Sequence, residues 1–374
     1  MEERLQYLLQ RLMAQPGVQH AIMAVESADG SFRWVGCAGD ANPDGTPMRV
    51  DTPFFIASVT KLYIAAAIMK LHERGRVGLD ESICAYLSPV LIGGLHRLGG
   101  EEYTDTITVC HLLGHTSGLP DYIGERPKGG RTLLERLVSE GDMAYGIDEV
   151  VRIVRQLTPH FPPQPRNAKR RKARYSDTNY RLLIAIIETV SALPLHRAFQ
   201  DLLFRPLGLR HTYLPGHAPL GLATAPATLW FNNQPLELPL AMGSFGDLYS
   251  TVDDTIRFLR ALMCGEVFDD STTLATMQES WIRLGFPLDA AALRIPGWPI
   301  EYGLGLMRFC LPRVFTLGYQ MPTVLGHTGS TGSWLFHCPR LNVFLSGTVN
   351  QITAGAVPYR IVPRVLRVLE SSTR

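Results

Sequence analysis

Leu5, Leu8, Leu9 and Leu12 recur at the spacing of one helix face within MEERLQYLLQRLMAQPG, so the chain opens on an amphipathic helix. The period then falls to two. HAIMAVES and SFRWVGCAG, separated by ADG, read as the strands of a hairpin. Residues 58–74, with the run YIAAAIM, form an apolar helix. From about 80 to 290 helical spacing dominates, at 131–140, 147–157, 177–191, 195–204 and 252–264, joined by Pro- and Gly-rich loops. Beyond these the pattern becomes strand-like in YGLGLMRF, TVLGHTGS, GSWLFHCP and NVFLSGTVN, and residues 354–371 close the chain as a helix. Strands at both ends with helices between them predict an α+β fold. One antiparallel sheet, assembled from distant segments and flanked by the terminal helices, carries an inserted helical domain. The expected division is a discontinuous sheet domain, 1–75 with 295–374, and a mainly helical domain, 76–294.

Composition narrows the class. With 374 residues, 46% of them hydrophobic, the chain buries a substantial core, and Lys+Arg 36 against Asp+Glu 34 leaves a formal charge of +2. That balance gives no overall field for nucleic acid. Cys37, Cys84, Cys110, Cys264, Cys310 and Cys338 lie far apart, which suggests neither a disulfide framework nor a zinc cage. The first residues carry acids at once and lack a basic n-region, and no apolar run reaches the roughly 20 residues needed to span a bilayer. The expectation is a cytoplasmic protein without a membrane span.

The chemistry starts at FFIASVTKLYIAAAIMK, residues 54–70, where Ser58 and Lys61 stand at i and i+3 on one helix face. A serine hydroxyl becomes a nucleophile when a base takes its proton, and a lysine is such a base only when its ammonium form is disfavoured. Arginine cannot replace it. The competing reading is an N-cap serine with a snorkelling lysine. Two further stretches decide between them: RYSDTNYRLL sets Tyr175 just before a helix, and LGHTGSTGSW sets His327, Thr328 and Gly329 on a strand ending in small residues. Together with HLLGHTSGLPDY and GTVNQ, these motifs resemble the serine β-lactamase-related superfamily: class C β-lactamases, D-alanyl-D-alanine carboxypeptidases and β-lactamase-like carboxylesterases. Ser-x-x-Lys, Tyr-x-Asn and Lys/His-Thr-Gly occur there in this order.

The resemblance covers roughly residues 20–365 and implies a β-lactamase/transpeptidase-like fold acting on a small-molecule ester or peptide substrate, with no metal or cofactor. It makes Ser58 the acyl-accepting nucleophile, with Lys61 and Tyr175 sharing the proton traffic. It assigns the oxyanion hole to the backbone N–H groups of Ser58 and Ser330, and substrate contact to Asp177, His327, Thr328, Gly329 and Tyr122. Which of Lys61 and Tyr175 takes the serine proton stays open.

Two positions depart from the pattern. Asp177 stands where the motif has asparagine; it can face Lys61, cap the helix TNYRLLIAIIE, or do both. His327 replaces the common lysine, so an anchor for a substrate carboxylate would weaken above about pH 6.5. Both departures argue against efficient β-lactam hydrolysis. Carboxylesterase ranks first among the implied activities, followed by D-amino-acid peptidase and β-lactamase; acyltransfer and a non-catalytic assembly role are the alternatives. Tyr122, Trp298, Tyr302 and Trp334 are candidates for an acyl pocket. His111 and His115 form a His-x-x-x-His pair that reads as structural, since Gly114 and TSGLP interrupt the helix. The run RNAKRRKARY reads as a solvated loop able to guide an anion.

Overall fold

The computed structural model describes residues 1–285 and 296–372, so the expected boundary at 294/295 lies outside the described residues. Eight strands make one antiparallel sheet: β1 (His20–Ser27), β2 (Arg33–Gly39), β3 (Ile282–Arg283), β4 (Glu301–Tyr302), β5 (Met307–Phe309), β6 (Val324–Thr328), β7 (Trp334–Cys338) and β8 (Val343–Thr348), in the order β2-β1-β8-β7-β6-β5-β4-β3. The hairpin of β1 and β2 pairs Met23 with Gly36, and β1 then meets β8 through Met23 and Gly347. The first and last strands of the chain are therefore neighbours, within the single sheet of distant segments that the pattern implied.

Alternation along β1 divides the core. Ala21, Met23 and Val25 pack with Leu5, Leu9 and Leu12 of helix α1 (Glu2–Met13) and with Ile361, Val365 and Leu369 of the C-terminal helix Val357–Ser372. Ile22 and Ala24 face the other way, into the helical part of the molecule. That side centres on α2 (Thr60–Glu73), buried at every position from Thr60 to Leu71. A helix covered all round has no polar stripe, and this explains its apolar sequence. Tyr63 stacks on Phe258 of the helix Val252–Met263 with ring centroids 3.6 Å apart.

Two expected elements differ. YGLGLMRF makes the short strands β4 and β5 instead of one, because the chain turns at Gly305, φ +85°, where a Cβ would meet Ala65 of α2 at 2.1 Å. The helix expected over 195–204 runs as Leu195–Phe199, widens to a π-helical stretch at Gln200–Phe204, and stops at Gly208 in the left-handed region. The helix Asp177–Ser191, hereafter α3, matches its expected bounds. No single helix among the described residues is long and apolar enough to cross a membrane.

Candidate active site

Ser58 lies on a tight 3₁₀ turn, Ala57–Val59, that feeds straight into α2. Ala57 is held at φ +46°, a left-handed conformation that costs a non-glycine residue of order 1 kcal/mol. What holds it is the segment after β6. Ser333 Oγ donates to the Ile56 carbonyl at 2.8 Å, Thr331 Oγ1 donates to the Phe55 carbonyl at 3.2 Å, and a Cβ on Gly329 would stand 2.7 Å from the Ile56 oxygen. On its other flank the turn is tied by Ile56 N–H to the Leu248 carbonyl, 2.9 Å. Neither the Ser58 nor the Ser330 amide donates a hydrogen bond to another group among the described residues. Ser58 is half-buried and Ser330 exposed.

One turn into α2, the Lys61 ammonium donates to Ser58 Oγ at 3.0 Å and to Asp177 Oδ1 at 2.5 Å. Burial alone would favour the neutral amine; the charges of Asp177, Tyr175 and Asp247 outweigh it and hold Lys61 well above the usual lysine range. Tyr175 packs beside them, its ring centroid 5.1 Å from Lys61 Nζ. Its hydroxyl is buried and makes no hydrogen bond among the described residues. Burial pushes this phenol up, while Lys61 and Ser58 favour its ionised form.

Asp177 does not cap α3. The N-cap is Ser176, Asp177 is the first helical residue, and its side chain turns to Lys61. The helix start is instead held from outside by Asp121, whose Oδ2 accepts the Asp177 N–H at 2.7 Å while Oδ1 accepts from Ile123 and Gly124. Burial and the charge of Asp177 raise the Asp121 carboxyl to about 7. His115 completes the support: its Nδ1 accepts from Ser176 N–H at 3.2 Å and its ring lies 4.4 Å from that of Tyr175. His111 is occupied elsewhere, between Thr108 N–H and the Gln164 carbonyl, so the two histidines serve separate structural contacts.

The third motif is uncharged. His327 Nδ1 faces the Thr328 carbonyl at 2.6 Å and so carries the proton; Nε2 then accepts from Tyr302 Oη at 2.9 Å. Burial and Lys61 lower this imidazole to about 3, so the carboxylate anchor anticipated below about pH 6.5 is missing there as well. Thr328 Oγ1 bonds to Tyr359 on the C-terminal helix at 3.0 Å. Tyr122 is buried in the helical core, its amide donating to Thr178 and its hydroxyl 3.4 Å from that of Tyr145. Trp298 packs edge-on against Phe315, and Trp334 is buried among the residues facing the terminal helices. Of the four aromatic candidates, Tyr302 hydrogen-bonds His327 through its side chain, Trp334 is the ladder partner of Thr328, and Tyr122 reaches the second motif through its amide. In the basic run, Arg166 pairs with Asp80 and Glu279, Arg171 donates to Ser280, and Arg174 pairs with Glu125.

Sequence reasoning missed Asp121, His115's support of α3, Thr331, Ser333 and Asp247. Asp247 is a carboxyl raised to about 6 by burial, an effect that Lys61 opposes. Only Asp121 had a local signal, the Pro-Asp pair after HTSGL. Together the geometry brings an ammonium, a phenol ring and a carboxylate to the half-buried Ser58 hydroxyl.

The Beta-lactamase family model matches residues 5–359. Esterase EstB of Burkholderia gladioli is 27% identical over 296 residues, 69% of this chain and 68% of the esterase. Penicillin-binding protein 4 of Amycolatopsis lactamdurans is 27% identical over 272 residues, 68% of this chain but 63% of that protein. Among solved structures, the D-amino acid amidase of Ochrobactrum anthropi SV3, complexed with L-phenylalanine, superposes with a TM-score of 0.75 at 22% identity, covering 100% of this chain and 99% of the amidase. That last likeness shows the fold alone.

Proposed function

Because the chain belongs to the β-lactamase family and is a serine hydrolase of it, we propose that it hydrolyses uncharged esters through an acyl-Ser58 intermediate. Ser58 is the nucleophile, Lys61 and Tyr175 move its proton, and the Ser58 and Ser330 amides stabilise the oxyanion, worth about 3 kcal/mol per donor. The observation that carries the ester reading is the charge around Ser58. His327 is neutral with both ring nitrogens engaged, and Asp177 puts a carboxylate where an amide would stand. Peptidoglycan stems and β-lactams bring a carboxylate of their own, which meets no cation from the third motif and is repelled by Asp177. A neutral acyl ester suffers neither penalty.

A second reading is the amide of an amino acid with a free α-ammonium, favoured by Asp177 and Asp247 beside a single lysine. The cytoplasm remains the proposed location, supported by six cysteines that are all free. The test is to offer p-nitrophenyl butyrate, D-phenylalanine amide, a D-alanyl-D-alanine peptide and a chromogenic cephalosporin, and to look for adducts by intact mass. We expect ester turnover and an acyl adduct, both lost in Ser58→Ala and reduced at least about 100-fold in Tyr175→Phe. Faster turnover of the peptide or the cephalosporin than of the ester overturns the substrate reading; ester turnover surviving Ser58→Ala overturns the nucleophile.

A further inference from the structure

Lys61 cannot take a proton from Ser58 as the structure holds it. As an ammonium that donates to Ser58 Oγ at 3.0 Å, it has no lone pair to offer. A route to the free amine is needed, and one atom lies in position to open it. Asp177 Oδ1 is 2.5 Å from Lys61 Nζ, and the remaining contacts fix it there. Its backbone N–H is clamped by Asp121 Oδ2 at 2.7 Å, and the next residue, Thr178, donates through Oγ1 to the Pro120 carbonyl at 2.6 Å. The Lys61 side chain is 4% exposed and that of Asp177 21%, so water reaches the pair mainly from the carboxylate side.

We propose that Asp177 is a catalytic proton acceptor: it takes a proton from the Lys61 ammonium, and the amine so formed deprotonates Ser58. The inference rests on Ser58 being the nucleophile, as proposed above. In the first step the proton moves from Nζ to Oδ1, and the ammonium–carboxylate pair becomes an amine and a carboxylic acid. In the second the amine takes the Ser58 proton as Oγ forms its bond to the acyl carbon, leaving the negative charge on the carbonyl oxygen between the two free amides. When that intermediate collapses, the bond to the leaving group breaks. Lys61 returns its proton to the departing oxygen by way of the Tyr175 hydroxyl, and Asp177 then gives its own proton back to Lys61. Protons and charge balance over acylation; in deacylation a water loses its proton to the Lys61 amine in place of Ser58, and that proton returns to Oγ as the acyl bond breaks. Substrate entering the cleft displaces water from the exposed side of the pair, and a drier pair favours its uncharged form. An asparagine at this position holds no exchangeable acid proton at neutral pH and cannot take this part.

The groups facing Asp177 are Lys61 from α2, Tyr175 preceding α3, Asp121 and Tyr122 from the 116–124 segment, Tyr145, Asp247 and Tyr302 of β4. None of them is substituted in the test variants; Asp177→Asn also removes a charge that favours the Lys61 ammonium and raises Asp121, so the pH profile is read together with the rate at neutral pH and with Asp177→Glu, which keeps that charge. The experiment measures acylation of Ser58 by p-nitrophenyl butyrate and by a fluorophosphonate probe between about pH 6 and 9, in wild type, Asp177→Asn, Asp177→Glu and Ser58→Ala. We expect Asp177→Asn to acylate about 100-fold more slowly at neutral pH, with KM little changed, and its rate to climb about tenfold per pH unit as Lys61 loses its proton to solvent instead. Asp177→Glu, which keeps a carboxylate, should recover part of the rate and the flatter profile. An Asp177→Asn variant that acylates as fast as wild type or faster, with its optimum moved to lower pH, overturns the inference while leaving Ser58 as the nucleophile. A wild type that reacts with neither reagent overturns both.

Discussion

Gly329 has no room for a methyl group. A Cβ there would lie 2.1 Å from Ser333 Oγ, 2.7 Å from the Ile56 carbonyl oxygen and 3.0 Å from the Ala57 Cβ, so the strand end would have to back away from the turn that carries Ser58. We expect Gly329→Ala to cost about 1–3 kcal/mol of stability. Turnover should fall by about 100-fold, since a displacement of about 1 Å of a reacting group has that effect. Comparing denaturant midpoints with kcat separates the two, and an alanine variant of unchanged kcat would show that the strand end does not set the position of Ser58. Single residues were legible where their chemistry is unusual. A lysine three residues after a serine in a chain with five lysines, and a tyrosine before a helix, stand out in the letters. Ser333 and Thr331 did not, because a hydroxyl among small residues has many possible partners and the sequence names none of them.

At the scale of elements, α3 is the piece whose placement decides the site, since Tyr175 precedes it and Asp177 opens it. Its start is fixed by a carboxylate 56 residues earlier in the chain. Asp121 accepts from three backbone amides, of Ile123, Gly124 and Asp177. Removing it leaves those half-buried donors without their acceptor, at about 1–3 kcal/mol for each amide that finds neither water nor another partner. Asp121→Ala is therefore expected to lose about 3 kcal/mol or more, and Asp121→Asn, which keeps one oxygen, distinctly less. In both variants activity should fall further than stability predicts, because the α3 start carries Asp177. Chemical denaturation alongside kcat/KM checks this, and equal stability of the two variants would count against it. The bounds of α3 were readable from its apolar periodicity, whereas the identity of its cap was not. Asp177 has the residue type of a cap and the right place in sequence, yet a lysine 2.5 Å away gives that carboxylate a stronger partner than an amide.

For the molecule as a whole, burial sets how stability responds to pH. Burial lowers His20 and His337 to about 4 and His327 to about 3, so the folded protein keeps these rings neutral while the unfolded chain protonates them below about 6.5. Their contribution is fully present above pH 6.5 and is lost as pH falls toward 4. Asp121 and Asp247 act in the opposite sense: raised to about 7 and about 6, they disfavour the fold above pH 7 and relax as pH falls. His337 of β7, a strand that carries none of the proposed catalytic side chains, stacks on Phe344 and gives the test. His337→Gln should shallow the loss of stability between about pH 6.5 and 4 relative to wild type, read from urea midpoints; parallel curves would remove His337 from the account. By itself the sequence determined the fold class and a sheet built from both ends of the chain, because hydrophobic period is a local property, and its resemblance to a known family pointed to the three segments proposed to carry the catalytic side chains. Only the tertiary structure decided that Asp177 faces Lys61, that His327 is uncharged and that Asp121 holds α3. Those outcomes depend on distance and on exclusion of water, and both arise only when segments far apart in the chain are packed together.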